Sequence, residues 1–172
     1  MTFHRLVFSC ACLLAGLSLP LCPAQSASPT ASSALTPASD LAQDAAQSLA
    51  LQRPVVLFFT QPDCSYCRIV RYDYFLPMLR QRGERDPVLL REVSMTGQRA
   101  MKALDGRMTN EAELAARYRV QMTPTVMFVG PDGESLAEPI VGGNHPDYLR
   151  LFERRHEEAV AKIAGKRVRI VR

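Results

Sequence analysis

Cys64 and Cys67 are separated by two residues in Cys64-Ser65-Tyr66-Cys67, and this spacing is the first chemical signal in the chain. Thiols at i and i+3 of a helix lie about one turn apart, near enough to form a disulfide or pass one on. If the helix starts at Cys64, its free backbone N–H groups and dipole favour a thiolate there. The thiolate is the nucleophile of thiol–disulfide exchange, so Cys64 attacks and Cys67 resolves the mixed disulfide. Arg68 adds positive potential beside the pair, and Asp63 opposes it.

The remaining cysteines lie elsewhere. Of the five in the chain, Cys10, Cys12 and Cys22 fall in an N-terminal stretch where His4 and Arg5 precede the apolar run Leu6–Leu21. That run is shorter than the ~18 residues of a spanning helix and rich in small residues, so residues 1–24 are predicted to be a secretory signal peptide. Cys22 and Ala24 put small residues at −3 and −1 of a cut after Ala24. Leu21 disfavours a lipoprotein cut before Cys22, and an uncleaved membrane anchor is the competing expectation. Export to a periplasm follows, and the mature chain keeps only Cys64 and Cys67. In an oxidising compartment such a pair is either a disulfide or is kept reduced by a dedicated donor.

Simpler roles fit these residues less well. A disulfide that closes so short a loop stabilises little, because the entropic effect grows with loop length. A zinc site needs about four ligands, and the mature chain offers Cys64, Cys67, His145 and His156. His156 follows Phe152 by four residues on an apolar helix face, the place of a core histidine. The scattered methionines fit gap-filling in a core better than copper binding.

The elements that must position the pair can be traced by pattern. Residues 25–39, rich in Ala, Ser, Pro and Thr, are expected to form a flexible spacer. Asp40 is a candidate N-cap for a helix through Leu51, with Leu41, Ala45 and Leu49 facing inward. Val55–Thr60 (VVLFFT) reads as a strand buried on both faces. After Gln61-Pro62-Asp63, a helix runs from the cysteines to about Arg82, with Ile69, Tyr72, Leu76 and Leu79 inward and a kink at Pro77. Val88–Met95 is a second strand. A short helix is expected within Gly97–Leu104, followed by a turn at Asp105-Gly106. Asn110 and Glu113 form a capping signature. Thr125–Val129 is a buried strand, Gly130–Gly133 a turn, and Ser135–Val141 an edge strand carrying Pro139. A last helix starts near Pro146, buries Leu149, Phe152, Val160 and Ile163, and stops at Gly165. This order gives an α/β fold in one domain, residues 40–165, with a mixed parallel and antiparallel central sheet and helices on both faces.

Composition narrows the function classes. Hydrophobic residues make up 47% and charged residues 22% of the 172, as in ordinary globular proteins. The net charge of +4 is concentrated in the tail, residues 166–172 and Lys162, while the body has slightly more acids than bases. With no basic patch or stacking module on the fold, no nucleic-acid partner is expected. The tail reads as a solvated terminus.

The motifs VVLFFTQPDCSYC, ELAARYRVQMTPTVMFV, GPDGE and IVGG carry a resemblance to the thioredoxin-fold family over residues 53–160. The resemblance implies a thioredoxin-like fold, a cis-proline at Pro124 beside the cysteines, and a Thr123 backbone that pairs with substrate. Gly142 corresponds to a family glycine near the same surface. The pattern is most similar to periplasmic thioredoxin-related proteins of the SoxW type. Three positions depart from thioredoxin itself. Phe58 replaces the strand aspartate that accepts the proton of the second cysteine, Asp63 replaces the preceding Trp, and Ser65-Tyr66 is nearer to the dipeptides of isomerases and glutaredoxins.

The expected activity is therefore that of an exported thiol–disulfide oxidoreductase, acting as a monomeric reductase of protein disulfides with no cofactor. Its expected partners are protein disulfides or thiols and a membrane thiol electron donor. Related dimeric isomerases place a dimerisation domain before the first strand, where residues 25–52 leave little room. Related oxidases insert a helical domain between the CxxC helix and the cis-proline, where this chain is short. The alternatives are a thiol oxidase or isomerase using the same residues, or a non-catalytic metal carrier holding its ion with Cys64 and Cys67.

Overall fold

The computed structural model describes residues 34–170, with side chains as far as residue 165. The expected signal peptide and cleavage site lie outside the described residues. The elements in order are α1 (Leu41–Leu51), β1 (Val55–Thr60), α2 (Ser65–Ile69), a π-helical turn (Val70–Phe75), α3 (Leu76–Arg82), β2 (Leu89–Ser94), β3 (Ala100–Lys102), β4 (Met108–Asn110), α4 (Glu111–Arg117), β5 (Thr125–Val129), β6 (Ile140–Val141) and α5 (Tyr148–Ile170). The main sheet has the order β2-β1-β5-β6. β1 pairs parallel with β2 and antiparallel with β5, and β5 pairs antiparallel with β6. This is the mixed sheet expected, with Val55–Thr60 at its centre and every residue of that strand buried.

Alternation along the strands divides the core between two faces. Val56, Phe58, Leu90, Val126 and Phe128 pack with Cys67, Val70 and Phe75 of the CxxC helix and with Tyr148 and Phe152 of α5. Val55, Leu57, Phe59, Leu89, Val93 and Met127 pack with Leu41 of α1 and Leu114 of α4. The helices thus cover both faces. Asp40 caps α1 by accepting from the Gln43 amide at 3.0 Å. Asn110 and Glu113 form the reciprocal capping box at the start of α4.

The structure corrects several sequence expectations. The spacer does not extend to residue 39, because Leu35–Ser39 lies along the outer edge of β2. The Glu92 amide donates to the Thr36 carbonyl and the Ala38 amide to the Glu92 carbonyl, both at 2.9 Å. Leu35 and Ala38 are buried, one in each half of the core. An uncovered edge strand would leave a row of unpaired backbone groups, and this segment satisfies them. The short helix expected in Gly97–Leu104 is instead the first strand of a β3–β4 hairpin turning at Asp105-Gly106. Ser135–Val141 keeps only Ile140–Val141 as strand, plus an isolated bridge from Ser135 to Val129. Gly165 does not stop the last helix, which runs to Ile170, so the expected tail is helical as far as that residue.

Two helix faces also differ. Leu49 of α1 is exposed, and Asp44 and Ser48 are buried in its stead; Asp44 is engaged by Arg91 through paired hydrogen bonds. In the CxxC helix Ile69 and Tyr72 point outward, while Val70, Phe75, Leu76 and Met78 are buried. Buried Cys67 and Val70 set the inward face ahead of Ile69, and the wider π turn Val70–Phe75 then carries that face on to Phe75, Leu76 and Met78. It lies just ahead of Pro77, whose missing N–H cannot complete an α-helical ladder. Among the described residues, no helix is long and apolar enough to cross a membrane.

Candidate active site

β1 delivers the chain to the site, because its six buried residues fix where Thr60 ends. Gln61–Asp63 then turns, with Asp63 in the left-handed region at φ 58°. Asp tolerates that conformation better than most residues. Cys64 follows in extended geometry as the N-cap of α2, and its sulfur accepts from the Cys67 amide at 3.1 Å. A backbone N–H aimed at this sulfur is the arrangement that favours negative charge on it. Through the π turn and α3 the helix continues to Arg82, so the dipole behind Cys64 is longer than α2 alone.

Cys64 and Cys67 form a disulfide, with Cα atoms 5.2 Å apart. Cys64 is partly exposed, and Cys67 is only 1% exposed within the core. The asymmetry matches an accessible attacking sulfur and a buried partner. Asp63 and Arg68 are both exposed, so solvent screens their opposed charges. Phe58, six residues before Cys64, is fully buried and meets Phe75 edge to face, with ring centroids 5.1 Å apart.

The loop before β5 brings a second segment to the cysteines. The Thr123–Pro124 peptide is cis. The Thr123 hydroxyl donates to Cys64 Sγ at 3.6 Å. The Pro124 carbonyl accepts from the Gly142 amide at 2.8 Å, which ties this loop to the end of β6. Gly142 has φ 85°, a conformation in which a side chain is strained. All five sequence-predicted residues, Cys64, Cys67, Thr123, Pro124 and Gly142, are thus linked in one place. His145 and His156 do not join them as ligands, and among the described residues no group of three or more His, Cys, Asp or Glu side chains is placed to hold a metal ion. His156 lies in the core against Phe152, as its helix position implied.

Two features of the site escaped the sequence. Gly143 packs so closely on the CxxC helix that a Cβ there would lie 2.9 Å from Tyr66 Cβ and 3.2 Å from the Tyr66 carbonyl oxygen. The doublet Gly142-Gly143 marked a turn but not this contact. Tyr66, Ile69 and Tyr72 on the outward face of the CxxC helix, and Met122 and Val141 next to the Thr123–Pro124 and Gly142 segments, leave apolar surface exposed. A groove of about 420 Å³ near the cis peptide is lined by Val120, Met122, Thr125, Met127, Pro139 and Val141 among others, and neither cysteine lines it. A larger groove of about 670 Å³, between the β3–β4 hairpin, the end of α4 and the Gly130–Gly133 turn, contains neither cysteine either. Chemistry, not volume, locates the candidate site.

Comparison with known proteins agrees with this geometry. A family model described as a thioredoxin-like domain matches residues 41–153. Among solved structures, the chain is similar to a Schistosoma mansoni thioredoxin at 16% identity, covering 72% of this chain and 99% of that one with a TM-score of 0.43. It is similar to a thioredoxin-fold protein from Helicobacter pylori at 20% identity, over 67% and 82% of the two chains, TM-score 0.43. It is also similar to a DsbH oxidoreductase at 23% identity, over 78% and 92%, TM-score 0.49. No curated protein sequence gives a significant match. With two cysteines poised in a CxxC disulfide on this sheet, and with the family model spanning the elements that hold them, the chain belongs to the thioredoxin-like domain family, a fold family of thiol–disulfide oxidoreductases.

Proposed function

We propose that the protein is an exported, monomeric thiol–disulfide reductase of SoxW-like type, acting on protein disulfides. The observation that carries this reading is the pairing of a partly exposed, amide-capped Cys64 with a buried Cys67 one turn away. The Cys64 thiolate attacks a substrate disulfide and forms a mixed disulfide. Cys67 then attacks Cys64, releasing the reduced substrate and leaving the enzyme oxidised. Thr123 lies against Cys64, and Gly142 holds the Thr123–Pro124 loop, so an extended substrate can lie against this segment as an added strand. The exposed apolar side chains of Tyr66 on the CxxC helix and of Met122 beside the Thr123 loop suit a polypeptide substrate. A membrane thiol donor returns the electrons, and no cofactor takes part.

Oxidation of substrate thiols would use the same two sulfurs. Reduction is favoured because the chain between Cys67 and Pro124 builds the rest of the CxxC helix through α3, one short 3-10 turn, β2, the hairpin and α4, without an inserted helical domain. Equilibrium titration of the CxxC pair against glutathione tests the direction. A potential near or below about −230 mV is expected, and a value near about −120 mV would instead mark an oxidase.

A further inference from the structure

A buried thiol resolves a mixed disulfide only after losing its proton, and burial disfavours the thiolate. Cys67 faces this difficulty, being 1% exposed in the half of the core that holds Phe58, Val70 and Phe75. The strand position beneath it is occupied by Phe58, which offers no charge.

Among the described residues, an ionised pair lies on that same face. Arg71 follows Cys67 by four residues, about one turn along the helix. Its Nε donates to Glu92 Oε2 at 3.3 Å, and its Nη2 donates to Glu92 Oε1. Glu92 on β2 is in register with Phe58 on β1, so both side chains leave the same face of the sheet. The Thr60 hydroxyl, four residues before Cys64, also donates to Glu92 Oε1, at 2.9 Å. Both side chains of the pair are 20% exposed, so water screens them only in part. Of the other ionisable groups on the elements around Cys67, its own helix carries the exposed Tyr66, Arg68, Tyr72 and Asp73 and the half-buried Tyr74, with Arg80 and Arg82 further along in α3. Arg91 on β2 leaves the opposite face toward Asp44, α5 brings Tyr148 and His156 into the core, Asp63 and Cys64 precede α2, and His145 precedes α5. β5 contributes none.

We propose that Arg71 and Glu92 are positioning residues that act as a balanced charge pair on Cys67, with Arg71 favouring its thiolate and Glu92 tempering that effect. This rests on the reductase reading above, in which Cys67 resolves the mixed disulfide. In the resolving step the Cys67 thiol gives its proton to solvent. Its thiolate forms the S–S bond to Cys64 as the bond from Cys64 to the substrate sulfur breaks, and the released substrate thiolate takes up a proton. Arg71 and Glu92 touch none of these atoms and act through their fields.

The test is stopped-flow reaction with 5,5′-dithiobis(2-nitrobenzoate) as a function of pH. It uses the reduced full chain carrying Cys10→Ser, Cys12→Ser and Cys22→Ser. The first release of coloured thiolate reports attack by Cys64, and the second reports resolution by Cys67. Arg71→Gln is expected to move the pH midpoint of the second phase upward by about one pH unit, and Glu92→Gln to move it downward by a similar amount. The double variant R71Q/E92Q is expected to return near the parent profile, with the first phase little changed throughout. Arg71→Met and Glu92→Leu leave no unpaired buried amide and repeat both arms should a glutamine variant not fold. Shifts of the same sign, or none, would overturn the proposal. Absence of a second phase in the parent would instead overturn the reductase reading on which it rests.

Discussion

Gly143 shows how one missing side chain sets the site. Its backbone lies against Tyr66, between the two cysteines, and an added Cβ would meet a Cβ and a carbonyl rather than a flexible tip. Gly143→Ala is therefore expected to displace the start of α2, cost about 1–3 kcal/mol and slow exchange at Cys64. Chemical denaturation and alkylation kinetics check this, and an unchanged rate would show that the contact is slack. His156 makes a second prediction at this scale. Its ring is buried against Phe152, and its Nε2 has no hydrogen-bond partner. Burial, with Arg82 and Arg53 nearby, pushes its pKa from the ordinary 6.5 down to about 4. The unfolded chain thus binds a proton that the folded chain refuses between those values. Stability is full above about pH 6.5 and falls as pH drops toward 4, by on the order of 1–3 kcal/mol. Denaturation midpoints of wild type and His156→Leu across this window check the sign, and the variant should lose this component of the pH dependence.

At the scale of elements, the docked segment before α1 is the clearest departure from the sequence pattern. A truncation that removes residues up to Ser39 is expected to lose a few kcal/mol, since it uncovers the β2 edge and empties the sites of Leu35 and Ala38. Equilibrium unfolding measures this, and an unaltered midpoint would mean that the segment only rests on the sheet. The segment was illegible because Ala, Ser, Pro and Thr carry little periodic signal; its order comes from pairing with a strand distant in sequence. The hairpin is illegible for a different reason, its strands being only three residues each, too short to show alternation. By contrast, VVLFFT and TVMFV were legible from continuous apolar runs, and α4 from its capping box. At Asn110, replacement by Ala is expected to cost about 1 kcal/mol through loss of that box. The cysteine pair and Thr123-Pro124 were legible because their spacing and types are themselves the signal. Gly143 and the Arg71–Glu92 pair were not, because each is defined by a partner across the fold.

For the molecule as a whole, the two halves of the core do different work. One packs α1, α4 and the hairpin behind the sheet, and the other seats the CxxC helix and α5. The strand between them is buried throughout, so the reactive disulfide is mounted on the most enclosed part of the fold while Cys64 stays accessible. That division of roles between the sulfurs is the central claim, and trapping tests it directly. Cys67→Ala and Cys64→Ala variants are each reduced and incubated with oxidised insulin, and adducts are mapped by peptide mass spectrometry without reductant. Cys67→Ala is expected to accumulate a mixed disulfide on Cys64, while Cys64→Ala accumulates none on Cys67. An adduct on Cys67 in the Cys64→Ala variant, with none on Cys64 in the other, would contradict the assignment of attacker and resolver.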